Sequence, residues 1–120
     1  SGTVQKQTDH FARRGEGTIQ KMAAITWTEK AKEDLANLVE FWSNISENSA
    51  KLQIQRIFDK VQLIAAFPRS GRIVPEMGHP EVRELIVGYY RLVYYIVSDT
   101  QVDILLVHHS ARPLDIKLFS

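Results

Sequence analysis

Residues 82–108 read VRELIV, then Gly88, then YYRLVYYIV, then SDTQ, then VDILLVH. Three apolar stretches, Val82 to Val87, Tyr89 to Val97 and Val102 to His108, are rich in Val, Ile, Leu and Tyr and short enough for strands. Gly88 separates the first two, and Ser98-Asp99-Thr100-Gln101 reads as a tight hairpin turn. Along the middle stretch Tyr90, Leu92, Tyr94 and Ile96 fall on one face, and Arg91, Val93, Tyr95 and Val97 on the other. In the last stretch Val102, Ile104 and Leu106 alternate with Leu105 and Val107. Both faces are mostly apolar, whereas an antiparallel sheet with one wet face alternates more cleanly. Covering the second face therefore calls for a chain terminus, a substrate or, most simply, a partner chain.

Upstream, the apolar period changes from two to three and four. Leu35, Leu38, Val39, Trp42 and Ile45 predict an amphipathic helix, with Thr28 as its N-cap. Ser43 to Ser49 is a polar break. A second helix carries Ala50, Ile54, Ile57, Phe58, Val61, Ile64 and Ala65 on one face and stops at Pro68. The pair reads as an antiparallel helical hairpin. Ala23 to Trp27 is short and β-prone. Pro68 to Arg72 is a turn, and Ile73 to Pro80 a loop. The expected order is β-α-α-β-β-β, an α+β fold with a small antiparallel sheet and the helical hairpin on one face.

The chain has 120 residues, room for one domain, and 44% of them are hydrophobic, enough to form a core. It has no cysteine, which removes disulfides, thiolate nucleophiles and cysteine-ligated zinc together. No apolar run reaches the roughly 18 residues of a membrane span, so a cytoplasmic protein with no membrane partner is expected. Residues 1–21 lack periodic apolar residues and are expected to be a flexible tail or an extension ahead of Met22, leaving 22–120 as one domain.

The 15 cations and 14 anions almost cancel, but they are unevenly placed. Residues 1–21 hold four cations and two anions, while residues 22–120 hold eleven cations and twelve anions. From Pro68 to Pro113 every cation is an arginine: Arg69, Arg72, Arg83, Arg91 and Arg112. Arginine suits planar, bidentate recognition of phosphate or carboxylate.

Several motifs share this layout: Trp27-Thr28-x-x-Ala31-x-x-Asp34-Leu35, Phe67-Pro68-x-x-Gly71-Arg72-x-x-Pro75-Glu76, Val82-Arg83-Glu84-Leu85, Tyr90-Arg91-Leu92-Val93-Tyr94 and Val107-His108-x-x-x-Arg112. In number, order and spacing they resemble the RelE/ParE superfamily of toxins from type II toxin–antitoxin (plasmid stabilisation) modules, over about Ile25 to Leu114. The resemblance implies growth inhibition and a cognate antitoxin that neutralises it. It also implies one of two targets. ParE-like members poison DNA gyrase. RelE- and YoeB-like members cut mRNA on the ribosome with no metal or other cofactor, by general acid–base chemistry with cationic stabilisation.

For a nuclease, the resemblance makes Arg91 a phosphate-binding arginine, with Arg83 in a basic region one strand earlier. It makes Glu76 a base, His108 or His109 an acid, and Arg112 a transition-state contact. The plain alternatives are a salt bridge from Arg91 to Glu84 or Glu76, a surface role for Arg83 beside Glu84 or Glu81, a solvated Glu76, and ordinary strand-end histidines. Arg72, Trp27, Pro68 and Gly71 are expected to be structural, with Arg72 holding the loop to the sheet. Adjacent strand residues point to opposite faces, so at most one histidine shares a site with Arg91, and the pair cannot share one metal ion. The chain departs from the nuclease pattern: no lysine lies between Lys60 and Lys117, the last tyrosine is Tyr95, and Phe119 has no hydroxyl. Low net charge also weakens a grip on RNA. Gyrase inhibition is therefore slightly favoured over mRNA cleavage, with a non-toxic interaction module as a further alternative.

Overall fold

A computed structural model describes residues 22–111 and residue 114. The expected tail and Arg112 lie outside the described residues. The elements run β1 (Ala24–Trp27), α1 (Glu29–Ile45), α2 (Glu47–Ala66), a 3-10 turn (Pro68–Ser70), β2 (Arg72–Ile73), β3 (Val82–Val87), β4 (Tyr90–Ser98) and β5 (Gln101–His109). The fold is α+β, with the helical hairpin against a five-stranded sheet ordered β1-β5-β4-β3-β2. β1 joins β5 in parallel, so the sheet is mixed rather than wholly antiparallel. A parallel neighbour needs a long crossover, and the α1–α2 hairpin is part of it. The two-residue β2 lies in the stretch expected to be turn and loop, and pairs with β3.

The break between helices is one residue, shorter than Ser43 to Ser49. The Ser46 N–H donates to the Trp42 carbonyl, closing α1, and its hydroxyl accepts from the Ser49 N–H, capping α2. Below the helices lies the main core, where Leu38, Ile57, Val61 and Ile64 meet Leu92, Tyr94, Val102 and Ile104. Phe58, expected on the apolar face of α2, is instead exposed and tilts against Trp27, with ring centroids 5.7 Å apart.

The far face of the sheet is covered in part by the chain itself. Val74 and Leu114 are buried against Val82, Val93 and Leu106, with Met77, Tyr95 and Leu105 alongside. The expectation that a partner chain is the simplest cover is corrected to that extent. The Ile73 to Pro80 loop reads as a stretch punctuated by two prolines and a glycine, and nothing local shows that Val74 will turn under the sheet.

The alternation expected for β5 is also corrected. A β-bulge between Val93/Tyr94 on β4 shifts the register, so Tyr94 faces Ile104 but Val93 faces Leu106. Leu105 is the extra residue, and past it the faces exchange. Val107 joins Val102 and Ile104 in the helix-side core, while Leu106 joins the far-side cluster.

Candidate functional site

The charged residues of the sheet half converge on the far face. β3 contributes Glu84, β4 contributes Arg91, β2 contributes Arg72, and the following loop contributes Glu76. Arg91 Nε donates to Glu84 Oε1 at 2.6 Å. Its Nη1 and Nη2 donate to the two oxygens of Glu76, each at 2.9 Å, a bidentate fork. Arg72 Nε donates to Glu84 Oε2 at 2.6 Å. Two arginines and two glutamates thus form one chain of ion pairs with no net charge.

Burial differs along it. The Glu84 and Arg91 side chains are 0% and 9% exposed, whereas those of Glu76 and Arg72 are 34% and 64% exposed. A carboxylate as buried as Glu84 persists only when paired, and here it has an arginine on each oxygen. The Arg91 guanidinium, through its hydrogen bonds, holds the Glu76 carboxyl down to about 2 from its usual 4.5. The same bonds, Glu76 first, hold the Arg91 guanidinium above its usual value.

Both pairings weighed for Arg91 are thus present together. Arg83 takes neither Glu84 nor Glu81. Its Nε donates to the Pro80 carbonyl at 2.7 Å and its Nη1 to the Gly71 carbonyl at 2.9 Å, clasping the turn before β2 to the loop before β3. Glu81 pairs with Arg69 instead, at 2.9 and 3.1 Å.

The 3-10 turn is held from beneath by Tyr94, whose hydroxyl accepts from the Gly71 N–H at 2.9 Å and donates to the Pro68 carbonyl at 2.6 Å. Burial pushes this phenol up from its usual value. A Cβ on Gly71 would sit 2.6 Å from both the Tyr94 hydroxyl and the Glu84 carbonyl, so only glycine fits. Pro68 and Gly71 thus meet at one hydroxyl, and Arg72 anchors the strand that follows.

His108 lies opposite Arg91 on the far face, and His109 opposite Tyr90 on the helix side. The bulge decides which histidine accompanies Arg91. The His109 ring stands edge-on to Tyr90 with centroids 5.6 Å apart. Both line a cleft of about 380 Å³ between α1 and the end of β5, with Asp34, Phe41 and Tyr90. At its rim Trp42 Nε1 donates to the Tyr90 hydroxyl at 2.9 Å, and the Trp42 ring packs on exposed Tyr89 and Phe41.

Sequence reasoning left Glu84, Thr28 and Asp34 out of the candidate site. Glu84 had a signal, a carboxylate inside an apolar strand. Thr28 read as a cap and Asp34 only as one position of a motif, yet both reach β5. The Thr28 hydroxyl donates to the Leu105 carbonyl at 2.9 Å while accepting from the Ala31 N–H, and Asp34 Oδ2 accepts from the Val107 N–H at 3.0 Å.

Residues 25–114 match the family model described as ParE toxin of type II toxin-antitoxin system, parDE. The chain belongs to this family. Toxin RelE2 of Caulobacter vibrioides is 29% identical over 91 residues, covering 76% of this chain and 99% of that protein. A solved chain titled as the chromosomal ParDE TA system from P. aeruginosa superposes with a TM-score of 0.61 at 22% identity, over 73% of this chain and 96% of its own. That likeness carries the fold. The protein is thus a type II toxin of the RelE/ParE superfamily, for which the family implies a cognate antitoxin. Among the described residues no helix of this ParE-family chain is long and apolar enough to cross a membrane.

Proposed function

We propose that this chain arrests bacterial growth by inhibiting DNA gyrase and is neutralised by its cognate antitoxin. The observation that carries this reading is the closed state of the Glu76–Arg91–Glu84 group. Arg91 spends its Nε and both terminal nitrogens on two carboxylates. A phosphate seat needs that fork open. A general base works best with a pKa near the working pH, and Glu76, held to about 2, is a weak one. No lysine between Lys60 and Lys117 supplements them. Gyrase inhibition asks for a surface rather than a reacting constellation. On the far face Ile86 and Val97 remain exposed, apolar area for an antitoxin to cover.

The second reading, ribosome-dependent and metal-independent mRNA cleavage, is favoured by one observation: His108 faces Arg91 across β4 and β5. An imidazole there suits a general acid.

Induction of the full chain in a bacterium separates the two. Under gyrase inhibition, linear plasmid DNA and SOS induction precede any fall in protein synthesis, and His108→Ala leaves growth arrest unchanged. Translation failing first, with His108→Ala lowering activity about a hundredfold or more, would establish cleavage instead. No growth effect at all removes both readings.

A further inference from the structure

We infer that Thr28 and Asp34 choose the register of the second half of β5, and so act as positioning residues that decide which side chain faces Arg91. Side-chain pattern does not make that choice. After Ile104 the strand reads Leu105-Leu106-Val107-His108-His109. With the bulge, Leu106 and His108 face the far side, and Val107 and His109 face the helices. Without it, the alternation begun by Val102 and Ile104 would continue. Leu106 would then exchange faces with Val107, and His108 with His109. Each exchange swaps one aliphatic for another or one imidazole for another. A buried face specifies register strongly only where the pattern distinguishes the two faces, and here it does not.

The backbone does distinguish them. Along β5 the groups turned away from β4 meet β1 until β1 ends at Trp27. Beyond that point the Thr28 N–H donates to the Ile104 carbonyl at 3.0 Å. In a straight strand the next outward groups would belong to Leu106 and His108. In the bulged strand they belong to Leu105 and Val107, and these are the groups that Thr28 and Asp34 take, at 2.9 and 3.0 Å. Both side chains also have partners on α1 itself. Thr28 is the N-cap of α1, and Asp34 is paired to Lys30 at 2.7 Å and only 11% exposed. Helix α1 therefore presents a rigid acceptor and donor that match one register alone. In the straight register Arg91 would face Val107, and His108 would move beside Tyr90, on the opposite side of the sheet.

NMR on the full chain reads the register from cross-strand contacts. Wild type should show Arg91–His108 and Tyr90–His109 contacts, with any straight register below about a tenth of molecules. Thr28→Val/Asp34→Ala should raise Arg91–Val107 and Tyr90–His108 contacts by about tenfold, to a directly visible population. Asp34→Asn keeps an acceptor oxygen for the Val107 N–H and should stay wild-type, a rescue that a general loss of stability does not predict. Because the chain has no cysteine, paired cysteines give a second reading. Tyr90→Cys/His109→Cys traps the bulged strand, and Tyr90→Cys/His108→Cys gains cross-linking when Asp34→Ala is added. The Asp34→Ala single variant carries the test if the double variant does not fold. A folded Asp34→Ala chain with only the bulged contacts overturns the inference, as does an Asp34→Asn chain that slips like Asp34→Ala.

Discussion

The two faces of the sheet are built from similar strands and held by different physics. On the helix side Leu92, Tyr94, Val102 and Ile104 are each fully buried against α1 and α2, and dispersion and the hydrophobic effect suffice. On the far side a small cluster around Val74 and Leu106 adjoins the Arg72–Glu84–Arg91–Glu76 ion pairs. The first face asks mainly for apolar volume of matching shape, with the Tyr94 hydroxyl as a polar tie to the 3-10 turn. The second depends on charges that are acceptable only together. A face with two buried charges can be lost by removing one of them, and kept by removing both.

The strongest way to break this contrast is Arg91→Met, which leaves the Glu84 carboxylate buried with only the exposed Arg72. A loss of about 3–5 kcal/mol is expected in urea unfolding. Glu84→Met/Arg91→Met should recover most of it, since the buried pair is exchanged for apolar volume. A double variant no more stable than Arg91→Met would refute the account of the far face. On the helix side Leu92→Ala should cost about 2–5 kcal/mol, with no comparable rescue from any neighbouring charge change.

The smallest expected effect is in pH. The Glu76 carboxyl is held to about 2 in the fold against 4.5 unperturbed. A depressed folded value means that the fold gains from this carboxylate above about pH 4.5 and loses the gain as pH falls towards 2. Thermal unfolding of wild type should weaken across that window. Glu76→Gln should start lower at neutral pH and show a shallower decline. Parallel curves for the two proteins would mean that the Glu76 fork contributes nothing to stability. The partial exposure of Glu76 keeps the effect modest.

Local chemistry made the helices, the hairpin and the strands legible. Periodicity in Leu35 to Ile45 and Ala50 to Ala65, the Thr28 cap and the stop before Pro68 all act within a turn or two of chain. The composition of residues 82–108 carried the strands in the same way. The candidate site was legible as residue types, with Arg91, Glu76 and the histidine pair all visible and Glu84 named only as a possible salt-bridge partner. Their partners were not, because Glu76 reaches Arg91 across fifteen positions and Asp34 reaches Val107 across seventy-three.

The sequence by itself thus determined the order of the two helices and the four longer strands, most of the helix-facing core and the concentration of arginine in the sheet half. Only the tertiary structure decided that β1 pairs in parallel with β5, that Val74 covers part of the far face, and that Arg91 is filled by two carboxylates. It alone also placed the bulge at Leu105, and with it His108 opposite Arg91. The physical reason is range. Propensity and periodicity are properties of neighbours in the chain. Strand partners, buried ion pairs and the register of Leu105-Leu106-Val107-His108-His109 depend on groups that meet only after the chain has closed on itself.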